Sequence, residues 1–175
     1  STPLYSSAAS DVYKRQVYQD KPKGTGDAVL KTKKHIKDKY FLMLLPDDLI
    51  INKNCSKSMI VSHKKYKASV MASMNVNKKT VERWGIYKLK KKLNNTDYLI
   101  DSVVEKPNIK DAPSNKAVIG RYILSNKIFS KLKNLKPTKG GEIHITDAIQ
   151  LLINDNEKFI AHNFSGKYLD CGSME

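Results

Sequence analysis

The chain has 175 residues, 40% of them hydrophobic and 8% aromatic, which is enough for one domain with its own core and excludes an intrinsically disordered tail. No apolar run approaches the ~20 residues that a spanning helix needs, which excludes a helical membrane anchor within this stretch. The net charge of +15 raises nucleic-acid binding, but the excess is lysine: only Arg15, Arg83 and Arg121 are arginines. Base readout and bidentate phosphate contacts favour arginine, and no aromatics interleave with the lysine pairs as a stacking platform would require. The lysines therefore read as a solvated surface, with neither nucleic acid nor membrane as a partner. Cys55 and Cys171 are far apart, lack metal-type spacing and fit a reducing cytoplasm better than a disulfide framework.

Residues 1–16 differ in character from the rest of the chain. They are small, polar and without period, and Asp11-Val12-Tyr13-Lys14-Arg15-Gln16 resembles translated adapter sequence, so they are set aside from fold reasoning as a non-native leader. The other end stops in Cys171-Gly172-Ser173-Met174-Glu175, and the chain reads as an internal piece of a longer protein. From Val17 onward, helices alternate with strands. Gly26-Asp27-Ala28 opens a helix, with Asp27 near the terminus where negative charge is favoured. Phe41 to Leu45 is apolar on both faces, as a central parallel strand should be. Ser56 to Tyr66 reads as a helix and Ala68 to Met74 as a strand. Trp84 to Lys90 and Tyr98 to Glu105 form a hairpin around Asn94-Asn95-Thr96-Asp97, expected as an insertion beside the sheet. Val118 to Leu124 is a strand, Lys127 to Leu132 a short helix and Phe159 to Phe164 a late strand. Ile145 to Ile153 is a helix with Ile145, Ala148, Ile149 and Leu152 on one side. The alternation predicts an α/β domain with a mostly parallel sheet.

Several motifs could carry chemistry. The Gly24-Thr25-Gly26 loop at a helix start can hold a nucleotide. Asp47 and Asp48 end the apolar run where open α/β sheets place their ligands, and a hard divalent cation takes one or two carboxylates plus phosphates. Asp170 is a candidate second acid. Pro46-Asp47-Asp48 equally fits an ordinary turn. Lys106 can neutralise a phosphate as a point charge, and Glu105 can accept from sugar hydroxyls; as an exposed charge pair they need do neither. Gly85 and Gly120 lie within strand patterns, where a ligand or a bulge can explain them. The four histidines lack zinc spacing, and no nucleophile elbow or phosphate-binding Gly-Lys-Ser/Thr loop occurs.

The order of these motifs is more specific than any one of them. Gln19…Gly24-x-Gly26-x-Ala28 is followed by Leu45-Pro46-Asp47-Asp48, Arg83-Trp84-Gly85-Ile86 and Val104-Glu105-Lys106-Pro107. Then come Ala112-Pro113-Ser114-Asn115 with Gly120-Arg121-Tyr122, Gly141-Glu142-Ile143 with Thr146-Asp147, and Asp170-Cys171-Gly172. The series resembles the bacterial UTP–glucose-1-phosphate uridylyltransferases, or UDP-glucose pyrophosphorylases, over residues 17–175. The resemblance implies a partial nucleotidyltransferase domain with the Rossmann-like fold of nucleotide-diphospho-sugar transferases. It implies Mg2+-dependent transfer of a uridylyl group from UTP to glucose 1-phosphate, giving UDP-glucose and pyrophosphate. Gln19 and Gly24 would lie at the uracil, and Asp47 would hold Mg2+ with Asp170. Gly85 and Glu105 would meet the glucose with Gly120 nearby, and Lys106 would contact phosphates. The family often forms dimers or tetramers. Its glycine-rich N-terminal nucleotide loop has no counterpart in residues 1–16, so this stretch alone is expected to lack activity. Thymidylyl or guanylyl transfer to another sugar phosphate, and a catalytically dead binding module of the same fold, are the competing readings.

Overall fold

The computed structural model describes residues 15–138 and 140–172; most of the leader singled out in the sequence lies outside them. The helices are α1 (Gly24–Lys31), α2 (Cys55–Tyr66), α3 (Ile128–Asn134) and α4 (Ile145–Asn154). The strands are β1 (Tyr40–Leu44), β2 (Asp48–Ile51), β3 (Ser69–Asn75), β4 (Gly85–Lys92), β5 (Asp97–Glu105), β6 (Lys116–Ser125), β7 (Phe159–Asn163) and β8 (Lys167–Asp170). Short 3-10 turns cover Lys33–His35 and Lys78–Arg83.

Six strands form one mixed sheet in the order β1-β6-β3-β7-β5-β4. Strands β1, β3, β4 and β7 run one way, and β5 and β6 the other. Neighbours are nevertheless mostly antiparallel: among the described strands, β3 and β7 form the one parallel neighbour pair. The strand read as central and parallel is β1. Among the described residues it has one neighbour, the antiparallel β6, and Leu42 and Leu44 are 40% and 50% exposed. An apolar run fixes that a strand forms and says nothing of its rank in the sheet. The hairpin does not sit beside the sheet either. It continues the sheet, because β5 pairs with β7 and buries Ile100, while Ile86 of β4 reaches Ala117 of β6.

Helices cover both faces, as an α/β sheet requires. On one side, α1, α3 and α4 pack over Met71, Tyr87, Tyr122, Leu124 and Phe159. On the other, Cys55 and Met59 of α2 meet Val70, Ala72, Ile119, Ile123 and Ile160. The alternation of Tyr122, Ile123 and Leu124 between the two cores is the period-2 geometry of a strand buried on both faces. Ile145, Ala148, Ile149 and Leu152 of α4 are all buried, as their spacing predicts; burying a side chain such as Ile149 stabilises by about 1.5–3 kcal/mol. Asn54 caps α2 by accepting from the Lys57 amide at 2.9 Å, and Lys67, in the left-handed region at φ 50°, ends it.

Candidate active site

Three locally determined pieces build the site. The first is the start of α1. Gly24 has φ +85°, and a Cβ there would stand 2.7 Å from the Ile143 carbonyl oxygen, so only glycine lets the chain turn here. The Gly26 amide donates to Ile143 O at 2.8 Å, and the Ile143 amide donates to Lys23 O at 2.8 Å. The Gly141-Glu142-Ile143 loop before α4 is therefore a clasp on the start of α1. Gln19 lies over this turn, its Nε2 donating to Asp27 Oδ2 at 2.6 Å and to Gly24 O at 3.2 Å.

The second piece is the acid corner after β1. The Pro46-Asp47-Asp48 turn opens β2, which pairs with β8 so that Asp48 stands opposite Asp170. The two acids of the turn have separate tasks. The carboxylate of half-buried Asp48 accepts from the Gly120 amide and from the Tyr168 hydroxyl, tying β2, β6 and β8 together. Asp47 is exposed, and its carboxylate makes no hydrogen bond among the described residues; only its carbonyl is engaged, accepting from the Cys171 amide at 2.8 Å. Gly172 lies between Asp47 and Asp170: a Cβ there would be 3.1 Å from Asp47 Oδ2 and 3.4 Å from Asp170 Oδ1. The Gly172 amide donates to Asp170 Oδ1 at 2.9 Å, so a residue without a side chain lets two carboxylates converge on one stretch of backbone. Two convergent carboxylates suit a hard divalent cation completed by phosphate and water oxygens, and the described residues supply no third acidic, histidine or cysteine ligand.

The third piece is the junction of the hairpin. Gly85 pairs with Glu105 across β4 and β5, and a Cβ on Gly85 would come within 3.1 Å of Glu105 Oε2. The chain turns sharply at exposed Lys106, whose φ is +43°, and its amide donates to Trp84 O at 3.0 Å. A left-handed non-glycine residue costs about 1–3 kcal/mol, and here the strain lies on a predicted site residue. Trp84 meets Tyr168 edge to face at 5.7 Å, which joins this junction to the acid corner.

The ionisation of nearby phenols reports the same convergence. Burial pushes the Tyr122 pKa up, and the charges of Asp48, Glu105 and Asp47 push it further. Tyr168 is raised by burial, by its bond to Asp48 and by the charges of Asp48, Asp170 and Asp47. Asp47, Glu105 and Asp170 therefore belong to one electronegative corner. Gly120 is at its floor: its amide is spent on Asp48, and an added Cβ would stand 2.6 Å from Leu45 Cβ. A separate cavity of about 230 Å³ lies between Thr25, Ala28 and Val29 of α1 and Met43, Leu44 and Leu45 at the end of β1.

Other motifs proved to be braces. Ser114 Oγ donates to Tyr87 O at 2.6 Å, and the Asn115 carbonyl accepts from the Val76 amide at 2.9 Å, so Ala112-Pro113-Ser114-Asn115 fastens the entry to β6. Sequence reasoning missed Tyr168 as part of the corner and named Gly172 only within its motif. The spacing of Tyr168 from Asp170 was the available signal, because residues two apart share a strand face. A separate line, Asp97–His162–Ser58, has the residue types of a hydrolase triad, with contacts of 2.6 and 2.9 Å. Its serine is not poised for attack, because Ser58 Oγ donates its proton to Cys55 O at 2.8 Å. Nor is Cys55 a nucleophile: burial pushes its thiol up to about 11.

A two-sided α/β sheet with glycine-lined acids at its strand ends is the architecture in which open α/β domains place their ligands. The family model described as nucleotidyl transferase matches residues 5–175, and the chain belongs to that family. It is 38% identical over 161 residues to the UTP–glucose-1-phosphate uridylyltransferase 2 of Streptococcus pyogenes serotype M3, covering 89% of this chain and 54% of that protein. A crystal structure of UDP-glucose pyrophosphorylase complexed with UDP-glucose superposes with a TM-score of 0.81 at 41% identity, covering 89% of this chain and 59% of that one. A UTP-bound UGPase from Acinetobacter baumannii gives 0.77 at 34%, covering 87% and 53%. The chain spans about half the length of the relatives it matches.

Proposed function

We propose that this chain is part of a uridylyltransferase that joins UTP and glucose 1-phosphate into UDP-glucose and releases pyrophosphate. The observation that carries the reading is the convergence of Asp47 and Asp170 on Gly172, with the Gly85–Glu105 pair and Gly120 in the same corner. The names of the relatives, including one complexed with UDP-glucose and one with UTP, support the same substrates.

A phosphate oxygen of glucose 1-phosphate attacks the α-phosphorus of UTP in line, and pyrophosphate leaves. No covalent enzyme intermediate forms. Asp47 and Asp170 would hold Mg2+, which when bound offsets the charge of the triphosphate. Lys106 orients the phosphates and neutralises part of their charge, which matters most as negative charge shifts to the leaving group. Glu105 accepts from glucose hydroxyls, Gly85 lets the sugar approach the backbone, and Gly120 forms the floor beneath through its bond to Asp48. Gln19 and Gly24 hold the uracil. Holding both reactants aligned supplies most of the remaining acceleration.

The test is side-by-side turnover of UTP, dTTP and GTP with glucose 1-phosphate by the protein of the complete gene, read as pyrophosphate release. UTP is expected to lead by at least tenfold. A lead for dTTP or GTP would reassign the nucleotide, and release with none of the three would leave a binding module.

A further inference from the structure

We propose that Asp27 is a positioning residue that locks the Gln19 side-chain amide with its oxygen turned to the base, and so selects a base that offers an imino N–H. The inference rests on the reading that Gln19 meets the base, and it adds what Gln19 asks of that base and which residue enforces it.

Both partners of the Gln19 amide are acceptors. Asp27 Oδ2 lies 2.6 Å from Nε2, and the Gly24 carbonyl lies 3.2 Å from it. A carboxylate and a carbonyl have no proton to give, so both hydrogens of Nε2 are spent on them. Turning the amide over would set Oε1 against two acceptors. The orientation follows from partner chemistry, which is the sound basis for assigning an amide. Gln19 Oε1 makes no hydrogen bond among the described residues. It is left as a bare acceptor.

The frame behind the amide is rigid. Asp27 is 9% exposed and sits in the first turn of α1, where the helix favours a negative charge. Gly24 packs so closely on the Ile143 backbone that even a Cβ would clash there, and hydrogen bonds through the Gly26 and Ile143 amides hold that contact in place. Gln19 and Asp27 both line a cavity of about 220 Å³, so the pair borders open space. A fixed acceptor pairs with the N3–H of uracil or thymine and with the N1–H of guanine. It faces a lone pair on N3 of cytosine and N1 of adenine. A polar site that loses its partner in this way rejects the wrong base strongly.

The experiment measures binding of UTP, CTP and N3-methyl-UTP by calorimetry, with the protein of the complete gene and its Asp27→Asn variant. Asparagine keeps the shape of Asp27 but can also donate, which permits the inverted amide. The wild type should bind UTP at least tenfold more tightly than CTP or N3-methyl-UTP. Asp27→Asn should shrink the UTP-to-CTP ratio at least fivefold and leave the KM for glucose 1-phosphate unchanged, a split that general loss of structure would not produce. An unchanged ratio in a folded Asp27→Asn variant overturns the role of Asp27 and leaves the uridylyltransferase reading standing. Equal binding of UTP and N3-methyl-UTP by the wild type overturns the acceptor assignment even if the variant fails to fold. Absence of any UTP binding by the wild type defeats the functional reading itself, and this inference with it.

Discussion

Asp97 and Asp47 are both aspartates at the edge of a turn, yet they lie in opposite surroundings. Asp97 is 4% exposed, with Oδ1 against His162 Nδ1 at 2.6 Å and Oδ2 accepting from Asn94 at 2.7 Å. His162 in turn reaches Ser58 of α2, so β5, β7 and α2 are fastened through one buried line. Asp47 is exposed and its carboxylate has no hydrogen-bond partner among the described residues, while Gly172 brings it close to Asp170. Saturated carboxylates hold the fold. A carboxylate left wanting beside a second acid is prepared for a ligand.

The largest expected effect lies on the saturated side. Asp97→Ala or His162→Ala strands the other member of a buried pair and should cost about 3–5 kcal/mol, read by urea unfolding. A loss below about 1 kcal/mol would remove the distinction between the two regions. Next, Gly120→Ala forces a methyl group against Leu45 and Asp48 at the floor of the corner and should destabilise by about 1–3 kcal/mol; an unshifted unfolding midpoint would show that the floor yields freely. On the open side, Lys106→Ala should leave the unfolding midpoint almost in place yet weaken UDP-glucose binding roughly tenfold or more. Calorimetry that returns wild-type affinity would take Lys106 out of the phosphate contacts.

The smallest effect is a slope with pH. Burial by itself would raise the Asp97 pKa, but its hydrogen bonds, those from His162 and Asn94 among them, and the His162 charge bring it below the ordinary 3.8. The unfolded chain then binds this proton at higher pH than the folded one. The group's stabilisation is full above the ordinary aspartate range and is lost as pH falls through the depressed folded value. Asp97→Asn should flatten the acid limb of a stability profile between pH 5 and pH 2, values at roughly which aspartates titrate; an unaltered limb would assign acid unfolding to other carboxylates.

The strands and helices were legible because their patterns are local. The α4 face is read directly from Ile145, Ala148, Ile149 and Leu152, and the hairpin from the Asn94 turn, where Asn94 Oδ1 accepts from the Asp97 amide at 2.7 Å. The antiparallel pairing of β1 with β6 and the merging of the hairpin with the sheet were not legible, because both depend on partners far along the chain. The short strands β2 and β8 carry no period long enough to notice, yet their pairing places Asp48 opposite Asp170. As residue types Asp47 and Asp48 read alike, and only the resemblance singled out Asp47. Their separation follows from Gly120 and Tyr168, which approach only in the folded chain and take Asp48. The Gln19–Asp27 bond was hidden for a simpler reason: an acid near a helix start already has an explanation in the helix dipole.

The most direct test of the account is the Mg2+ dependence of UDP-glucose formation by the protein of the complete gene, compared with Asp47→Asn. The account predicts at least a tenfold fall in Mg2+-supported turnover, about 1.4 kcal/mol in the barrier, with the unfolding midpoint shifted by no more than about 0.5 kcal/mol. Equal turnover of the two proteins at every Mg2+ concentration would contradict it, and would mean that the open carboxylate after β1 is not where the cation is held.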